Sequence, residues 1–123
     1  MATLIAIALG GAVGSLARYA LSLQLDGLGG SGFPYGIMLA NIAGSFLIGI
    51  AFVLLVEKSL LGEVWRSLLM VGFLGGFTTF STFSIQALEL LQSGRWLAAF
   101  TYIIGSLALS LIGAALGILL ARQ

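Results

Sequence analysis

The chain has 123 residues, of which 60% are apolar and 7% charged, against about 25% charged in a soluble domain. A chain this short and apolar has too little polar surface to meet water on every side, which excludes a soluble enzyme. The absence of Cys and His removes disulfides, thiolate metal sites and the commonest general base, and a net charge of +1 leaves no basic patch for nucleic acid.

The sparse charges mark out the elements. A helix that crosses hydrocarbon needs about 20 mostly apolar residues. Four spans fit, at about 3–23, 35–56, 67–91 and 96–120, in a single membrane domain over 1–123. The first run is uncharged up to Arg18 and carries Gly10 and Gly14 one helical turn apart. It lacks a basic leading segment, so it reads as a retained span rather than a signal peptide. A Gly-rich loop with the only proline, Pro34, leads to the second run, which is uncharged to Val56. Asn41 and Ser45 sit in that run among the small residues Gly36, Ala40, Gly44 and Gly49. The loop from Lys58 to Glu63 precedes the third run, and Ser93-Gly94-Arg95 precedes the fourth. Tyr102, Ser106 and Ser110 recur every four residues of the last run and so share one helix face. The glycines let helix backbones approach where lipid supplies no hydrophobic drive. Long continuous apolar runs are not the ten-residue alternation of a barrel, so the expected fold is all-α.

The third run contains Gly75-Gly76-Phe77-Thr78-Thr79-Phe80-Ser81-Thr82-Phe83-Ser84. Two glycines followed by Thr and Ser are poor helix formers and good caps. The pattern predicts a helix broken near its middle, with halves at about 67–76 and 80–91. The first half would end in unpaired carbonyls and the second begin with unpaired N–H groups. Broken backbone at membrane depth points to an ion or substrate site. Phe80 and Phe83 are three apart and can face one way, with Phe77 at the break. A ring edge is electropositive and can touch an anion without gripping it.

Arg18 is the only cation inside a span, and Asp26, Glu57, Glu63 and Glu89 all fall at span ends. A path made of amide, hydroxyls, N–H groups and ring edges, with no carboxylate, suits an anion. In a four-span chain Lys58, Arg66 and Arg122 lie on one side and Arg18 and Arg95 on the other, which is almost no positive-inside bias. Such a chain can insert both ways round and form an antiparallel homodimer.

These residues resemble the Fluc (CrcB) family of microbial fluoride channels. The likeness covers essentially the whole chain and is carried by 10–19 (GGAVGSLARY), 41–46 (NIAGSF) and 75–83 (GGFTTFSTF). The resemblance implies a dual-topology homodimer in the inner membrane, with two antiparallel pores and passive, selective export of fluoride from the cytoplasm. It implies that Phe80 and Phe83 turn their edges to fluoride and that Asn41 is a pore amide. Ser81 and Thr82 would add hydroxyls, and Tyr102, Ser106 and Ser110 a polar track. Arg18 would lie at a vestibule. Gly75 and Thr78 would offer backbone carbonyls to a structural sodium ion at the dimer centre. Relatives often carry Glu where this chain has Gln86, which leaves a charged group there without a counterpart. Two other classes fit less of the sequence. A small multidrug exporter would want a carboxylate in the first span, which has none, and a noncatalytic assembly subunit would explain the glycines but not the converging polar groups.

Overall fold

The computed structural model describes residues 1–123 as an all-helical chain. Helix α1 is Ala2–Leu25, α2 is Tyr35–Glu57, α3 covers 63–77, α4 is Phe80–Gln92 and α5 is Trp96–Arg122. α3 and α4 follow one another in a single span, Glu63–Gln92, so four helical spans are long and apolar enough to cross a membrane. The shortest has 23 residues, a length of about 34 Å at about 1.5 Å per residue, above the roughly 30 Å of hydrocarbon. The third span starts four residues earlier than its uncharged run, at Glu63 rather than Ser67. Glu63 and Arg66 are tolerated there because they occupy the first turn, where a carboxylate faces the positive helix end.

Close backbone contact holds the spans together. Side chains at Gly10 and Gly14 have no room, since a Cβ on Gly10 would strike the Leu68 carbonyl and one on Gly14 the Phe73 carbonyl. α1 therefore lies directly on α3, whose Ser67–Leu74 stretch widens into π-helix at that contact. The same device joins α2 to α5. A Cβ on Gly49 would strike the Ala114 carbonyl, and one on Gly117 the Phe46 carbonyl. α2 also ends in a π-helical turn, Phe52–Glu57. Neither π segment is legible from apolar spacing.

Polar contacts tie the ends. Asp26 Oδ1 accepts the Gly36 N–H at 2.7 Å, which serves one of the unpaired donors at the start of α2. Arg122 forms a two-point pair with Glu57, at 3.0 and 2.9 Å, and Lys58 Nζ donates to the Ala121 carbonyl at 2.9 Å. These bonds place the ends of α2 and α5 on one face of the bundle. Only 22 of 123 residues are buried, so most apolar side chains face outward, as in a helix that meets hydrocarbon all round. The one buried cluster, Ile37, Phe83, Ala87, Leu90, Ala99 and Tyr102, joins α2, α4 and α5 beside the break.

Candidate functional site

The third span leaves helical geometry at two residues. Thr78 has φ −91° and ψ 155°, and Thr79 has φ −153° and ψ 128°. Both lie in the extended region, which β-branched residues favour. Local bonds support the exit and the re-entry. Thr78 Oγ1 donates to the Leu74 carbonyl at 2.9 Å. Thr79 caps α4, its Oγ1 accepting the Thr82 N–H at 3.3 Å.

The break strips partners from the backbone on both sides. The carbonyls of Gly75, Phe77 and Thr78 receive no protein hydrogen bond, and the Gly76 carbonyl receives one only from Arg18 Nε, at 3.0 Å. The N–H groups of Phe80 and Ser81 meet no protein acceptor. The first set carries partial negative charge and the second partial positive charge. A cation and an anion can thus be served at one place by main chain alone.

A cleft of about 290 Å³ opens against this break. Asn41 and Ser45 come from α2, Thr78 and Thr79 from the break, Phe80 and Phe83 from α4, and Ser106, Leu107, Ser110 and Leu111 from α5. None of them is charged. Ser106 Oγ is buried without any protein partner. A buried hydroxyl left without any partner costs about 1–3 kcal/mol, so this one is available to bond whatever occupies the cleft.

Of the expected site residues, Asn41, Phe80, Phe83, Ser106, Ser110 and Thr78 meet at this cleft. The Phe80 and Phe83 rings lie 5.4 Å apart at 50°, but Phe83 is 7% exposed and Phe80 71%. Ser81 is exposed beyond the lining and approaches Thr79 Oγ1 at 3.3 Å. Thr82 Oγ1 accepts from Thr79 Oγ1, also at 3.3 Å. Tyr102 is fully buried behind the cleft, and its hydroxyl donates to Gln86 Oε1 at 2.8 Å. Its ring touches Phe33 edge-on, with centroids 5.6 Å apart, and Phe83 at 5.2 Å. Gln86 and Phe33 line a second cleft of about 400 Å³ with Asp26, Glu89 and Arg95. Tyr102 therefore stands between the linings of the two clefts. Arg18 is half-buried and lies on the C-terminal end of α3 through Gly76.

Sequence reading took the Thr-Thr pair as caps but missed the two Asn41 bonds that place Thr79 at the site. It also missed the Arg18–Gly76 bond, for which chain spacing carries no signal. The donor set bears on a sodium ion as well. No group of three or more His, Cys, Asp or Glu is present. The free carbonyls of Gly75 and Thr78 are hard neutral oxygens of the kind that replace an alkali ion's hydration shell.

An all-helical bundle with four membrane-length spans, one of them interrupted at a polar cleft, defines a multi-pass membrane protein. Residues 5–118 match the family described as "CrcB-like protein, Camphor Resistance (CrcB)". The chain is 45% identical over 97% of its length to a protein of Saccharophagus degradans, of which it covers 89%. It is 44% identical over 100% of its length to one of Geobacter sulfurreducens, covering 99%, and 46% identical over 97% to one of Hahella chejuensis, covering 94%. All three are named fluoride-specific ion channel FluC. The chain belongs to the CrcB family.

Proposed function

We propose that this chain forms a passive, highly selective fluoride channel, not an enzyme, that exports fluoride from the cytoplasm across the inner membrane. The observation that carries the reading is the interrupted third span, whose free Phe80 and Ser81 N–H groups stand beside an uncharged cleft holding an unpartnered Ser106 hydroxyl. The name carried by the related proteins supports the choice of ion.

Fluoride is small and strongly hydrated, so entry requires donors that replace lost water. Ser106, Ser110, Ser81, Thr82 and the α4 amides supply them, and the Phe80 and Phe83 edges line the way. Chloride is too large for the same donors to close around it. No carboxylate repels the ion, and binding to neutral donors stays weak enough for release. Arg18 raises the local anion concentration at a vestibule. The working unit is an antiparallel homodimer with two pores. Phe80, 71% exposed in the single chain, is then covered by the second copy. The Gly75 and Thr78 carbonyls of both copies hold a structural sodium ion at the centre.

The test is efflux from vesicles loaded with potassium fluoride or potassium chloride and opened to potassium by an ionophore. Rapid fluoride release with chloride retained is expected. Equal release of both ions, or of neither, would overturn the reading.

A further inference from the structure

Asn41 lines the cleft, yet its amide is already engaged. Nδ2 donates to the Thr79 carbonyl at 3.0 Å, and Oδ1 accepts the Thr79 N–H at 2.8 Å. Both partners belong to one extended residue, so the side chain copies the donor–acceptor pair that a neighbouring strand offers in a ladder. Its orientation is fixed by chemistry, since an N–H only donates and a carbonyl only accepts.

The same two bonds account for the free Gly75 carbonyl before the break. In an unbroken helix the Thr79 N–H would donate to the Gly75 carbonyl, and the Thr79 carbonyl would accept from the Phe83 N–H. Asn41 takes both Thr79 groups. It thereby leaves the Gly75 carbonyl without a donor. One side chain on α2 thus frees a cation ligand at the break. Arg18 adds a hold on α3 through Gly76.

We propose that Asn41 is a positioning residue that holds the break open by clamping Thr79, rather than the donor that meets the passing ion. The proposal rests on the fluoride reading only where current is measured. The rival role is a direct one, through the second Nδ2 proton.

Asn41→Asp separates the two. An ionised carboxylate accepts from the Thr79 N–H but cannot donate to its carbonyl, whereas a protonated carboxyl restores both bonds and has no further proton for an ion. Fluoride current across a planar bilayer is the readout, because neutral hydrogen fluoride carries none. The variant should pass about tenfold less current than the unmodified channel at alkaline pH, where its carboxyl is ionised. It should recover at about pH 5, while the unmodified channel stays flat. Current equally low at both pH values, or normal at both, would overturn the clamp. Amide exchange of Thr79 in 15N-threonine-labelled protein decides the matter without any flux. Asn41→Leu should speed that exchange about tenfold by removing the acceptor, and unchanged exchange would overturn the proposal. Asn41→Ser, whose hydroxyl is too short to reach both Thr79 groups, gives the same readout if the leucine variant fails to fold. Absence of fluoride current in the unmodified protein would sink the fluoride reading and leave the exchange measurement to judge the clamp.

Discussion

At the residue scale, the cleft combines one exposed ring, one buried ring and one buried hydroxyl with nothing to bond. Phe83 is locked between Tyr102 and Phe80, while Phe80 is free on its outer face. Replacing Phe80 with Ile removes the electropositive edge but keeps an apolar side chain, and burial at that position is slight. Phe80→Ile should therefore cut fluoride efflux by at least about tenfold with assembly intact by gel filtration, since ring edges carry the polar contact. Unaltered efflux would remove the ring from the mechanism. Ser106→Ala should act oppositely on stability and function. Removing a buried unpaired hydroxyl relieves a cost of about 1–3 kcal/mol, so the melting temperature should hold or rise while efflux falls. A loss of stability would mean that the hydroxyl has a structural partner. Ser106 was legible in the sequence as one of three aligned hydroxyls. Tyr102 shared that helix face in register, but its longer side chain carries the hydroxyl past the cleft to Gln86. Residue spacing sets direction and not reach.

At the element scale, two glycine contacts make opposite demands. A Cβ on Gly14 would strike the Phe73 carbonyl and come within 2.9 Å of the Phe77 N, both backbone atoms that cannot move aside. A Cβ on Gly75 would meet only the Met70 carbonyl, at 3.7 Å, an ordinary contact. Gly14→Val should push α1 off α3 and destabilise the bundle by at least the 1–3 kcal/mol or so typical of overpacking, read as lost folded yield in detergent. Gly75→Val should fold as a single chain but weaken the proposed dimer and its sodium dependence, read by crosslinking with and without sodium. A stable, active, sodium-insensitive Gly75→Val channel would argue against carbonyl ligation there. The break itself was legible because Gly-Gly followed by Thr-Thr weakens a helix and then caps the next one. The start of α3 at Glu63 was not, because charge runs mark where hydrocarbon begins and helices continue past it. The π-helical stretches Phe52–Glu57 and Ser67–Leu74 were hidden because a change of helical pitch leaves no signature in apolar spacing.

At the scale of the whole molecule, the outer surface is apolar nearly all round and the charges are almost evenly split between the two ends. Such a chain has little to fix its orientation, and small charge additions should decide it. Two Lys residues added next to Met1 should drive most copies to one orientation, read by accessibility of a tag on each face, and should lower fluoride efflux in proportion. Full efflux from uniformly oriented copies would contradict the antiparallel dimer.

In the proposed channel, main-chain amides left free at the start of α4 take the ion. 15N-phenylalanine and 15N-serine labelling places a reporter on Phe80 and Ser81 themselves. Their amide resonances should shift on addition of fluoride and stay in place with equal chloride. Resonances that ignore fluoride in a protein that still conducts it would contradict the account.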